Sequence, residues 1–190
     1  MNRKTDISRI SRIAMFSAII SICAIISLPL PITPVPISLA TLGVMTAGAV
    51  LGPVDGVFSA AVYILLGVAG LPVFGGMKSG PSVIAGPTGG FIIGYLVMAF
   101  ICGSMPKIFK KNNIKIFEGV AIQTISMAVA NILLYLFGSF WFKVYAKTSL
   151  FGAFVACVVP FLIGDAVKIA FSAVIVVKLE RILKRKRTNA

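Results

Sequence analysis

The chain has no histidine, and only five of its 190 residues are acidic. Without an imidazole, the common zinc sites and serine or cysteine triads lack a part they need. Its three cysteines, Cys23, Cys102 and Cys157, lie far apart in apolar runs and form no CxxC pair. They read as small core hydrophobes, which argues against disulfides and zinc. The GxxxxGK[ST] phosphate loop, HExxH and the GxSxG elbow are also missing. The chain is therefore expected to be no enzyme, to hydrolyse no ATP by itself, and to hold no catalytic residue, metal or cofactor. GPTGG at 86–90 has the glycines of a phosphate loop without its lysine or preceding strand, and reads as a turn into a helix.

What is present in excess is apolar. Hydrophobic residues make up 58% and charged residues 12% of the sequence, and the mean hydropathy is +1.04. That leaves too little polar surface to coat a soluble domain, so lipid is the expected solvent. A spanning helix uses about 20 apolar residues. The length thus suits one membrane-embedded domain over 1–190, an all-α bundle of six transmembrane helices with short loops. The net charge of +13 comes from clusters at the chain ends and in one loop. Such clusters read as topology signals and lipid-headgroup contacts, with no nucleic-acid partner expected. Arg3, Lys4, Arg9 and Arg12 before the run 13–28 imitate a secretory signal. No convincing cleavage site follows, so a retained first helix is expected.

The ten prolines mark boundaries and predict spans over 12–28, 38–52, 56–71, 88–105, 117–140 and 153–179. With the N-terminus inside, 14 of the 18 basic residues fall in the N-terminal segment, the loop 106–115 and the tail (four, four and six). Lys78, Lys143 and Lys147 fall outside, and Lys168 lies in the sixth span. The positive-inside rule then predicts cytoplasmic termini. Half of the glycines lie between Gly67 and Gly94. This Gly/Pro-rich stretch, between helices 3 and 4, is predicted to form an ordered extracellular cap, because Leu71, Val73, Phe74, Val83 and Ile84 give it something to pack.

Two charges interrupt the last span. Asp165 and Lys168 are three residues apart, hence neighbours on one helix face, and charges in hydrocarbon are tolerated when they face a bundle interior and find partners. A ligand site is the sharper reading and a self-satisfied structural pair the plainer one. Asn131 and Tyr135 share a face of the fifth span, with Gln123, Tyr63 and Tyr95 as further polar candidates. On the first span Ala14 and Ala18 form a small-xxx-small pair, beside Ser17 and Ser21, fit for close approach of a helix from this chain or another. A channel or secondary transporter using Asp165 and Lys168 as a relay is the alternative function, though no sequence repeat relates the two halves.

PVPISLATLGV at 34–44, GVAGLPVFGG at 67–76, GPTGGF at 86–91, YLFGSFW at 135–141 and PFLIGDAVK at 160–168 together resemble the BioY family. Its members are biotin-specific substrate-binding (S) components of energy-coupling-factor (ECF) importers. The resemblance implies high-affinity capture of biotin in a prokaryotic plasma membrane, with a membrane-embedded T component and two ABC-type ATPase subunits as partners. It implies that Asp165 and Lys168 contact biotin, that Phe91 and Phe74 flank its bicycle, and that Ala14 and Ala18 dock the partner. The family commonly has tyrosine where this chain has Phe91, and often glutamine where it has Ala40.

Overall fold

Proline-free apolar runs become helices, as they must where lipid offers backbone groups no other partner. The structure, a computed structural model, describes residues 3–31, 33–108 and 116–188. Helix α1 (Arg3–Ile25) leads into a hairpin of β1 (Ser27–Leu30) and β2 (Thr33–Ser38). There follow α2 (Ala40–Leu51), α3 (Pro53–Val68), the single turn α4 (Pro81–Ile84), α5 (Gly89–Ile108) and α6 (Ile116–Ala146). The chain ends with α7 (Leu150–Cys157), a 3-10 turn at Val159–Phe161, and α8 (Leu162–Thr188). Among the described residues, Asp6–Ile25, Ile116–Ala146 and Leu150–Leu179 are long and apolar enough to cross a membrane. Ala40–Leu51, Pro53–Val68 and Gly89–Met105 are shorter apolar helices. The molecule is a mostly helical membrane protein.

Two expectations need correction. The architecture is not purely helical, since Ser27 pairs with Ser38 and Leu28 with Ile37 in an antiparallel hairpin, with an irregularity between Leu28 and Leu30. Proline is tolerated there because each strand of a two-stranded sheet has a free edge needing no N–H. The sixth predicted span, 153–179, is not continuous either. Pro160 supplies no N–H, the backbone tightens so that the Phe161 N–H donates to the Val158 carbonyl at 2.9 Å, and α8 starts afresh at Leu162. Asp165 therefore lies in the first turn of a helix instead of mid-span.

Small residues let the helices approach closely. A Cβ on Gly48 would stand 2.4 Å from the Ala99 carbonyl oxygen, and one on Gly103 2.4 Å from the Pro53 nitrogen, locking α2, α3 and α5 together. Large apolar side chains such as Phe117, Ile125, Ile132 and Phe140 on α6 and Phe171 on α8 point outward. In the first span the small residues divide: Ser17 and Ser21 are buried, whereas Ala14 and Ala18 are exposed on the outer face of α1. At one end of the bundle Arg9 pairs with Asp55 at 2.7 Å, joining α1 to α3. The hairpin and residues 69–88 gather at the other.

Candidate functional site

At that second end a cavity of about 750 Å³, counted out to its open mouth, lies between the hairpin, the 69–88 segment and α2, α3, α5, α6 and α8. Apolar and aromatic groups form the walls, including Val35, Tyr63, Phe91, Ile92, Tyr95 and Phe161, and Asp165 and Lys168 supply charge.

The floor is a closed polar network. Lys168 Nζ donates to Asp165 Oδ1 at 2.8 Å, to the Ser38 carbonyl at 2.6 Å and to Thr41 Oγ1 at 3.4 Å, so all three ammonium protons have acceptors. Asp165 Oδ2 accepts from Tyr135 Oη at 2.5 Å and from Asn131 Nδ2 at 3.5 Å. Asp165 and Lys168 are only 4% and 7% exposed. A carboxylate in the first turn of α8 also benefits from the positive end of the helix dipole. The strand end at Ser38 thus meets α2, α6 and α8 through one ammonium and one carboxylate.

Asp165, Lys168, Tyr135 and Phe91 line the cavity. Asn131 is buried behind the carboxylate, and its Oδ1 has no hydrogen-bond partner among the described residues. The Phe91 ring packs against α6 where Gly138 leaves room: a Cβ there would stand 2.3 Å from the ring. Phe74 does not line the cavity. It is fully buried with its ring over Gly67 and edge-on to Tyr63, 5.6 Å between centroids at 87°, so it supports the Tyr63 wall from behind. Tyr63 in turn lies 6.4 Å from Tyr95. Ser38, Thr41, Lys78 and Thr88 add to the polar lining and had no role assigned from sequence. For Thr41 a signal existed, because PVPISLATLGV sets it beside the proline-rich strand. The Ser38 acceptor is a backbone carbonyl and left none.

The 69–88 segment is ordered by specific bonds. Phe74 and Lys78 form a bridge across a tight turn in which Gly76 and Met77 have φ of 71° and 58°. The Gly76 N–H donates to Ser27 Oγ at 2.7 Å, the Gly80 N–H to the Gly67 carbonyl at 2.8 Å, and Trp141 Nε1 to the Gly86 carbonyl at 3.0 Å.

Fold and site together define a helical membrane protein with an apolar-walled, partly charged cavity at one end of its bundle. Residues 1–185 match the BioY family, and the chain belongs to it. It is 34% identical over 171 residues to the probable biotin transporter BioY of Pyrococcus horikoshii, covering 90% of this chain and 95% of that one. It is 34% identical over 168 residues to the biotin transporter BioY of Thermotoga maritima, covering 88% and 93%. A crystal structure of the S-component for biotin from an ECF-type ABC transporter superposes with a TM-score of 0.84 at 28% identity, covering 95% of both chains.

Proposed function

We propose that this chain captures biotin as the S component of an ECF importer and releases it inward when partner ATPases drive a change of conformation. The observation that carries the reading is the buried Asp165–Lys168 pair in an apolar-walled cavity, within a family whose members bear the name biotin transporter. Biotin's ureido ring offers two N–H donors and one carbonyl. Asp165 accepts from an N–H, and Lys168 donates to the carbonyl in exchange for its longest bond, the one to Thr41 Oγ1, both in a water-poor setting where charge-assisted bonds are strong. Asn131 and Tyr135 together hold Oδ2 of the carboxylate in place, and Phe91 flanks the bicycle with Tyr63 and Tyr95, braced by Phe74. No cofactor takes part.

Six crossings, by α1, α2, α3, α5, α6 and the broken α7–α8, with both termini in the cytoplasm of a prokaryotic cell, agree with the basic residues of the N-terminal segment, the loop 106–115 and the tail. The cavity then opens outward and the 69–88 segment caps it. The exposed Ala14 and Ala18 give the T component a smooth surface within the lipid, and two ABC-type ATPases couple to it from the cytoplasm.

Equilibrium binding of labelled biotin to the purified chain in detergent, challenged with thiamine, riboflavin and desthiobiotin, tests the reading. Tight binding displaced only by biotin-like compounds is expected. Folded protein that binds no biotin would overturn it, and biotin uptake by liposomes containing this chain alone would replace an S component with a self-sufficient transporter.

A further inference from the structure

Charge is distributed unevenly between the two ends of the bundle. Asp6, Asp55 and Glu118 lie in the first turns of α1, α3 and α6, and Glu180 lies far along α8, all at the end away from the cavity. Among the described residues the cavity end contains a single carboxylate, Asp165, already paired with Lys168. Lys78, at the mouth, is exposed and lines the same cavity, yet no ion pair or side-chain hydrogen bond engages its ammonium among the described residues.

Its backbone, by contrast, is fixed. The Lys78 carbonyl accepts from the Phe74 N–H at 3.0 Å, the Gly76 N–H holds the turn to Ser27 of the hairpin, and the buried Phe74 ring anchors the turn on α3. A cation with no carboxylate of its own is thus held at the rim of a cavity whose floor is a neutralised pair. A ligand with a polar ring at the floor and an anionic tail toward the mouth meets a complementary charge at each end.

We infer that Lys78 is a specificity-determining residue that receives the ligand's carboxylate, so that this protein selects the free acid over neutral derivatives of the same ring. The inference rests on the biotin reading and adds the recognition of the tail. An exposed ammonium acts partly at long range and is screened by salt, so its effect falls largely on the association rate.

The test is binding of biotin and of biotinamide, which has the same ring and an uncharged tail, to the full-length wild type, Lys78→Met and Lys78→Glu at low and high salt. Wild type should prefer biotin by about 2- to 5-fold at low salt, the scale of an exposed ion pair. Lys78→Met should lose that preference through biotin alone, Lys78→Glu should reverse it, and biotinamide should bind all three proteins within about 2-fold of one another. Equal wild-type affinity for the two compounds, or equal weakening of both by Lys78→Met, would overturn the role of Lys78 while leaving biotin as the ligand. Wild-type protein that binds neither compound overturns the biotin reading and this inference with it.

Discussion

Two ion pairs among the described residues, nearly equal in length, stand in opposite settings. Arg9 and Asp55 meet at 2.7 Å with side chains 45% and 16% exposed, whereas Lys168 and Asp165 meet at 2.8 Å with side chains 8% and 6% exposed. Distance alone would rank them together. Solvent separates them, because water screens the first pair and competes for its bonds, while the second must find every partner inside the protein. Arg9 uses one carboxylate oxygen of Asp55 and leans over Phe58 at 5.9 Å. Lys168 and Asp165 recruit Ser38, Thr41, Tyr135 and Asn131. The exposed pair fastens two helices, and the buried pair organises a site.

The largest effect should come from breaking the buried pair on one side. Asp165→Leu or Lys168→Met leaves the other charge stranded and should lower stability by about 3–5 kcal/mol, read as unfolding in detergent. The double variant Asp165→Leu/Lys168→Met removes both charges and should recover most of that loss while remaining unable to bind biotin. If the double variant still binds, the pair is architectural and the comparison loses its functional half.

A smaller effect sharpens the same contrast by leaving the pair intact. Tyr135→Phe removes the hydroxyl that donates to Asp165 Oδ2 and leaves Asn131 as that oxygen's donor. Biotin binding should weaken by about 1.5–3 kcal/mol, the range for a hydrogen bond to a charged group, without loss of the fold. Unchanged affinity would mean that Asn131 and Lys168 suffice to orient the carboxylate.

Much of this was legible in the residues. Proline spacing predicted 38–52 and 56–71 for what are α2 and α3, and 88–105 for α5, within three residues at each boundary. The Asp165–Lys168 pair stood out because charge in an apolar run requires a partner, and the i, i+4 pair Asn131 and Tyr135 does converge on it. The misses have physical causes. Alternating prolines in LPLPITPVPIS mask strand potential, since only a two-stranded hairpin gives each proline an edge. The break at Pro160 was hidden inside continuous hydrophobicity. The Ser38 carbonyl has no side-chain signature, and Phe74 reads like Phe91 until Gly67 is seen to draw its ring behind the wall.

The smallest effect belongs to the exposed pair. Arg9→Gln removes a guanidinium that is nearly half exposed, so Asp55 can be rehydrated in place and nothing buried is left without a partner. Stability should fall by only about 0.2–1 kcal/mol, and the difference from wild type should shrink as salt is raised. Biotin affinity in detergent should not move, since Arg9 and the cavity occupy opposite ends of the bundle. A loss comparable to that of Lys168→Met, measured by the same unfolding assay, would mean that burial does not rank the two pairs. The α1–α3 junction would then be a second point on which the whole bundle depends.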